Sequence, residues 1–329
     1  MDQIRADLEA RLRADWRRPQ LEVGELEPVA EGHSGFTYWV DVADSEQGGR
    51  YVLRLSPPGA RPAGPADVAR QGRIMSALNR AGMPTPRIPA MSAEPVIDGR
   101  PFVLMARIEG ERIETAAAAQ DQRALAASAI ATLKRLQSVP VGQTGIGEED
   151  PMPLQGELWR WGWLMQRAAP DLTERAPELG VALAQSLPAE RAPTLVHADY
   201  HMGNMLFRGS EIAAVLDWEI AEIGQPLIDL GCLAVMVARR RFGTGAAPGG
   251  TLDLEMGDFL DLYEVEEQEM RWYLGFSLYK YAAILGYNLM LHRKGRRPDP
   301  MYEQESMYRT ISGMIDDGVE LMSGKDLGV

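Results

Sequence analysis

Ile4, Leu8 and Leu12 recur at four-residue spacing among charged neighbours, which predicts a short amphipathic helix at the start of the chain. The period then changes. Phe36 to Val42 (FTYWVDV) and Tyr51 to Leu55 (YVLRL) are rich in β-branched and aromatic residues, with a glycine-containing turn at Gln47 to Arg50 between them, and read as strands. Ser56 to Pro65 (SPPGARPAGP) holds too much proline and glycine for regular structure. A helix follows at about 66–80, with Val68, Ile74, Met75 and Leu78 on its apolar side. Pro101 to Ile108 (PFVLMARI) then reads as a buried strand ending before Glu109 and Gly110.

From there the pattern is mostly helical. An alanine-rich helix is expected at 121–138, a Gly- and Pro-rich connection from Pro140 to Pro153, and further helix to about Ser186. A short β-loop-β unit at 194–217 precedes long helices at about 228–240, 266–293 and 302–322. This order predicts an α+β chain of two unequal lobes: a small β-rich N-terminal lobe over 1–108 and a larger, mainly helical C-terminal lobe over 109–329.

Composition narrows the classes. The balance of 45% hydrophobic and 25% charged residues is that of a soluble globular protein. No apolar run approaches the ~18 residues a membrane helix needs, and the charged N-terminal segment MDQIRADLEARLRADW lacks the apolar core of a signal peptide. With the single cysteine, Cys232, this predicts a cytoplasmic protein without internal disulfides. A net charge of −13 repels phosphate backbones and argues against nucleic-acid binding. Much of the acidic excess sits between Asp253 and Glu269, which reads as a solvated helix face.

Candidate chemistry concentrates in TLVHADYHMGNMLFRGSEIAAVLDWEIAEIGQPLIDLG, residues 194–231. An apolar strand delivers His197 and Asp199 to a loop. Asn204 follows five residues after Asp199, and a later strand, Ile212 to Leu216, delivers Asp217. Two carboxylates and a carboxamide at strand ends are hard oxygen ligands suited to Mg²⁺, which keeps several waters and borrows substrate phosphates for the rest. Phosphoryl transfer needs such a metal, plus a carboxylate to orient the attacking hydroxyl and take its proton. H-x-D-x-x-x-x-N followed by a strand-borne Asp has the spacing of the protein-kinase catalytic loop and its metal-binding Asp. His201 reads as a packing or hydrogen-bonding residue of the same loop.

HADYHMGN, VLDWE and GQPLIDLG together resemble the aminoglycoside phosphotransferase and choline kinase-like family, over about Leu26 to Ile311. The likeness is greatest to the bacterial branch related to the kinase-like domain joined to some acyl-CoA dehydrogenases. The resemblance implies a protein-kinase-like two-lobe fold, with ATP and Mg²⁺ as cofactors. It implies Asp199 as catalytic base, His197 as a brace of the catalytic loop, Asn204 and Asp217 as metal ligands, and Asp229 as an anchor of the segment after the metal site. Glu219 is placed near the metal. Gly32, Ser34 and Gly35 of EGHSGFTY stand where the family covers the phosphates. Arg54 stands where kinases carry the phosphate-gripping lysine, and an outward-facing strand arginine is its other reading. Ala106 to Ile108 would read adenine through backbone groups. One residue departs from the pattern. Gln71 replaces the helical glutamate that pairs with the phosphate-binding side chain, so that either another carboxylate such as Asp67 substitutes or the pair is reduced to a hydrogen bond.

Only eleven residues separate Asp217 from Asp229 and no A-P-E follows, which excludes a peptide-binding activation segment and favours a small-molecule hydroxyl acceptor. Trp159, Trp161, Trp163, Tyr279, Lys280, Tyr281 and Asn288 are candidates for its site. The basic run His292 to Arg297 would meet an anionic substrate such as a CoA ester, or simply complement a helix dipole. The expected function is thus an ATP- and Mg²⁺-dependent kinase of a metabolite hydroxyl, possible acceptors including a hydroxyacyl-CoA. The alternatives are an aminoglycoside or macrolide phosphotransferase and a nucleotide-binding regulatory pseudokinase. No nucleic-acid or membrane partner is expected, and either a monomer or a homodimer fits.

Overall fold

The computed structural model describes residues 1–29, 36–61, 63–238 and 254–325. Gly32, Ser34 and Gly35 lie outside them. The chain divides into two compact units.

The first unit comprises Met1–Gly110, Val139–Glu148 and Ala213–Ala221. Helix α1 (Asp2–Trp16) buries the predicted Ile4, Leu8 and Leu12. They pack with Val40, Val42, Tyr51, Leu53, Leu55, Phe102 and Leu104 of an antiparallel five-stranded sheet. Its strands are β1 (Glu22–Pro28), β2 (Thr37–Ala43), β3 (Gly49–Leu55), β4 (Ala90–Ile97) and β5 (Arg100–Ala106), in the order β1-β2-β3-β5-β4. Strand period places Tyr51, Leu53 and Leu55 in the core and turns Arg54 to the opposite face, between Thr37 and Val103. Helix α2 (Val68–Arg80) packs on β4 and β5. Gly72 permits that approach, because a Cβ there would stand 2.7 Å from Met91 Sδ and 3.1 Å from Val103 Cγ2.

Two strands escape sequence reading, β1 and β4, and both lie at the sheet's edges. Each has a break in register, between Val23 and Leu26 and between Ser92 and Ile97. Their exposed glutamates and prolines erase the alternation that a half-buried strand would show, and an edge tolerates them because its outer N–H groups need no partner. The expected strand 101–108 stops at Ala106, and the expected helix at 66 starts at Val68, after a short 3₁₀ turn at Gly64–Ala66.

The second unit comprises Glu111–Ser138, Glu149–Ile212 and Glu222–Val329. Its helices are α3 (Ile113–Ala119), α4 (Gln122–Ser138), α5 (Leu154–Met165), α6 (Ala176–Gln185), α7 (Leu227–Ala238), α8 (Met256–Tyr263), α9 (Glu267–Arg293) and α10 (Glu305–Met322). The 27-residue α9 is the central helix, packed by α5, α6, α7 and α10. The acidic run ends on α8 and the first turn of α9, where Glu267 and Glu269 complement the helix dipole. At the far end His292 and Arg293 occupy the last turn, and Arg293 forms a two-pronged pair with Asp171 at 2.7 and 3.0 Å. Among the described residues no helix is long and apolar enough to cross a membrane.

The predicted β-loop-β unit is two ribbons instead of one run of adjacent strands. β6 (Thr194–Val196) pairs antiparallel with β9 (Glu222–Gly224), while β7 (Met205–Arg208) pairs with β8 (Glu211–Val215). The strand that feeds Asp199 and the strand that feeds Asp217 therefore belong to different ribbons. The pairing of β6 with β9 is invisible locally, because β9 is only three residues long and follows the DWE turn.

Candidate active site

The loop after β6 is clamped from two sides. Asp229, in the first turn of α7 and fully buried, accepts the backbone N–H groups of His197 and Ala198, each at 2.8 Å, one on each carboxylate oxygen. Ala198 is held at φ +63°, a left-handed conformation that costs a residue with a Cβ about 1–2 kcal/mol and persists only when neighbours enforce it. From the other side, Lys280 of α9, fully buried, donates Nζ–H to the Ala198 carbonyl and lies 3.7 Å from Cys232 Sγ. Burial pushes the Asp229 carboxyl up to about 7, against the pull of the two backbone donors and Lys280. Burial would lower the Lys280 ammonium, but Cys232, Asp199, Glu157 and Asp229 outweigh it and raise its pKa.

That clamp presents Asp199. Its own N–H donates to Nδ1 of the buried His197 at 3.2 Å. Its carboxylate receives the Tyr281 hydroxyl on Oδ1 at 2.8 Å and the Asn204 amide on Oδ2 at 3.0 Å, with His201 Nε2 at 3.4 Å from Oδ2. Burial works to raise this carboxyl's pKa, but His201, Lys280 and His197 prevail and hold it well below the usual carboxylate range. Tyr281 is pushed the other way, by burial and by Asp199 itself, so it remains a donor. His201 accepts the Gly203 N–H on Nδ1, which leaves Nε2 to face the carboxylate. Asn204 spends its amide nitrogen on Asp199, on both the carboxylate and the backbone carbonyl, so the acceptor face of its side chain is the oxygen.

The remaining candidates lie in the first unit. At the end of β8, Val215 N–H donates to the Pro84 carbonyl at 2.7 Å, and the buried Trp218 returns its Nε1–H to the Val215 carbonyl at 3.0 Å. This pins a tight turn in which Asp217 adopts φ +62°. Arg54 reaches both acids of DWE, Nη1 to Asp217 Oδ1 at 3.1 Å and Nη2 to Glu219 Oε2 at 2.6 Å. Burial tends to lower the Arg54 pKa, but Asp217 and Glu219 raise it. The outward-facing reading of Arg54 does not hold, since its side chain is only 12% exposed. Neither suggested substitute for the missing helical glutamate is used. Gln71, buried, donates its amide to the Pro65 carbonyl at 3.1 Å, and Asp67 caps α2 by accepting the Arg70 N–H at 2.8 Å. Ala106 pairs with Tyr51 at the end of β5 and gives its N–H to the Arg87 carbonyl, and Ile108 follows beyond the strand.

The candidates proposed for an acceptor site divide. Lys280 and Tyr281 bond to the loop after β6, at the Ala198 carbonyl and Asp199 Oδ1. Trp161 is buried, its ring 5.0 Å from Lys280 Nζ and its Nε1–H given to Glu157 Oε2 at 2.9 Å, while Trp159 and Trp163 are exposed. Asn288 accepts Arg297 Nη1 at 3.3 Å. The roles of Lys280 and Tyr281 had one visible signal, a lone lysine in the otherwise apolar stretch Leu274–Ala283 of a long helix. Glu157, Glu222 and Arg160 form a buried cluster that had none. Arg160 Nη2 donates to Glu222 Oε2 at 2.6 Å, and its Nη1 lies 2.9 Å from Glu157 Oε1. Burial first, then the neighbouring Glu157, push Glu222 up to about 8.

A family model described as "Phosphotransferase enzyme family" matches residues 25–273, most of the chain. The chain belongs to that family. This phosphotransferase is 31% identical over 232 residues to mouse acyl-CoA dehydrogenase family member 10, covering 64% of this chain and 20% of the mouse protein. It is 29% identical over 224 residues to chicken acyl-CoA dehydrogenase family member 11, covering 64% of this chain and 28% of that protein. It thus spans between a fifth and somewhat over a quarter of the length of these curated relatives. Among solved structures, a Ralstonia eutropha protein described as a candidate aminoglycoside phosphotransferase superposes with TM-score 0.73 at 22% identity, covering 97% of this chain and 98% of that one. The GDP and kanamycin complex of APH(2″)-IIIa gives TM-score 0.62 at 15% identity, covering 96% and 97%. A ternary complex of APH(4)-Ia with AMP-PNP and hygromycin B gives 0.61 at 16%, covering 97% and 99%. These likenesses establish the kinase-like α+β fold.

Proposed function

We propose that this phosphotransferase moves the γ-phosphoryl group of ATP onto a hydroxyl of a small metabolite, with Asp199 as the base. The observation that supports this most is the set of donors around Asp199. A carboxylate held ionised by His201, Lys280 and His197 and oriented by Tyr281 and Asn204 is a weak base at neutral pH, suited to aligning a hydroxyl and accepting its proton late, when bond formation to phosphorus has made it acidic. A regulatory protein without catalysis has no use for such an arrangement.

Asn204 and Asp217 are the proposed Mg²⁺ ligands. The donor chemistry fits: Asp217 is a half-exposed carboxylate, and the Asn204 side-chain oxygen remains after its amide is spent. Among the described residues no three His, Cys, Asp or Glu side chains cluster as a metal cage, which agrees with an ion that takes one or two protein oxygens and completes its shell with phosphate and water. Mg²⁺, when bound, neutralises charge on the phosphate oxygens. Arg54 is the cation that would meet the nucleotide phosphates, and Gly32, Ser34 and Gly35 would cover them. Adenine would be read at Ile108 and the Ala106 carbonyl, since the Ala106 N–H is already engaged.

For the acceptor we favour a hydroxyacyl-CoA or similar metabolite, because the curated relatives are acyl-CoA dehydrogenase family members. An antibiotic acceptor is the second reading, favoured by the kanamycin and hygromycin B complexes of structural neighbours. The test is a thermal-shift measurement with ATP or GTP, with and without Mg²⁺, on wild type and Asp217→Ala, followed by phosphorylation assays on hydroxyacyl-CoAs and aminoglycosides. A Mg²⁺-dependent shift lost in the variant supports the site. No shift with either nucleotide refutes the kinase reading.

A further inference from the structure

We infer that Glu219 is the positioning residue for Arg54, doing from the DWE turn what a helical glutamate does in kinases. This rests on the nucleotide-binding reading above. An arginine side chain on a strand has several rotatable bonds, and a guanidinium presents itself to phosphate in one geometry only if a fixed acceptor holds it. α2 supplies no such acceptor: Gln71 is uncharged and turned to Pro65, and Asp67 is committed to its helix cap. The guanidinium instead meets two carboxylates of the same compact unit, Asp217 at 3.1 Å and Glu219 at 2.6 Å. Asp217 is the one a metal would claim. Glu219 makes the shorter contact and is fixed in place by the buried Trp218 beside it, whose indole is bonded back to Val215. Gln71 is therefore not a lesion in the site. The ion pair has moved from the helix to the residue two positions past the metal ligand.

This assignment differs from a metal-ligand role for Glu219, and the two separate experimentally. ATP affinity is measured by titration calorimetry with Mg²⁺ and with EDTA, on wild type, Glu219→Gln, Glu219→Asp, Arg54→Met and the double variant Arg54→Met/Glu219→Gln. The expected result is that Glu219→Gln weakens ATP binding about tenfold equally with and without Mg²⁺, that Glu219→Asp weakens it less, and that the double variant binds no worse than Arg54→Met alone. Loss confined to the Mg²⁺ titration would make Glu219 a metal ligand and overturn the inference. Additive losses in the double variant, or unchanged affinity in Glu219→Gln beside a weakened Arg54→Met, would also overturn it. Wild-type affinity in Arg54→Met would instead remove Arg54 from the nucleotide site, and the functional reading of Arg54 would fall with it.

Discussion

Glu222→Gln should make the protein more stable, and only above about pH 5. In the wild type Glu222 is buried against Glu157, and its Oε1 has no hydrogen-bond partner. Burial, and then the Glu157 carboxylate beside it, keep Glu222 protonated up to about 8 against an ordinary 4.5. The sign follows from linkage. Because the folded-state value is raised, the folded protein holds a proton that the unfolded chain has already released, so stability is greatest below 4.5 and declines as pH rises toward 8. At ~1.4 kcal/mol per pH unit the whole interval is worth up to ~5 kcal/mol. Arg160 pairs with both acids and its pull is already contained in the value of about 8, so this figure is an upper bound. About 2–3 kcal/mol at pH 8.5 is the working expectation. A glutamine reproduces the protonated acid, since its carbonyl can accept from Arg160 while its amide donates to Glu157, and it does not titrate. Differential scanning fluorimetry across pH 4 to 9 should give coincident melting temperatures at the acid end and a variant about 3–4 °C higher at pH 8.5. Asp229, pushed up to about 7, makes both proteins lose stability in the same range, so the difference between the two curves is the quantity to read. Parallel curves, or a variant less stable at pH 8.5, would refute the account of a buried, protonated Glu222.

Tyr281→Phe keeps the ring and removes the hydroxyl from Asp199 Oδ1; the single-turnover transfer rate should fall about tenfold with ATP affinity unchanged, and the acid limb of the rate profile should move up in pH. A change in ATP affinity alone would place Tyr281 elsewhere in the cycle. Asp199→Asn should retain ATP binding in calorimetry while transfer falls by about 10²–10⁴, and equal loss of both would make Asp199 structural. Gly231→Ala puts a Cβ 2.6 Å from both Ser277 Oγ and the Tyr273 carbonyl; the hydroxyl can rotate away but the α9 backbone cannot, so a loss of about 1–3 kcal/mol is expected in urea unfolding. Gly180→Ala, 3.4 Å from the tip of Tyr279, is the control and should be far milder.

The parts of this site visible in the sequence are those whose partners lie close in the chain. Asn204 reaches Asp199 across five positions and His197 braces it across two, so spacing alone carried the geometry. Helices with a continuous apolar stripe were placed within a few residues for the same reason. Edge strands β1 and β4 were not, because a strand solvated on one side and broken in register shows no period to read. The charge pairs were least legible of all. Tyr281 and Lys280 lie 82 positions from the loop residues they serve, and Glu219 lies 165 from Arg54. A lone lysine in an apolar stretch of a long helix signals its burial, but nothing in the local pattern says which distant carbonyl it will meet.

That difference in legibility has a physical root that bears on Gln71. A motif residue is recognised by its place in the chain, but an ion pair needs only a carboxylate within reach of a guanidinium, from whatever element the fold brings there. Position 71 can therefore lose its charge without leaving Arg54 unpaired, provided another acid of the same compact unit arrives from elsewhere in the chain. The converse holds for Asp199. Its three donors come from two loop positions and one helix, and each is aimed at an individual carboxylate oxygen, so moving the acid by even one residue would break all three contacts. Charge balance around Arg54 is transferable between elements, whereas the directional bonds around Asp199 are not, which is why spacing is a sound guide to the base and a poor one to its electrostatic surroundings.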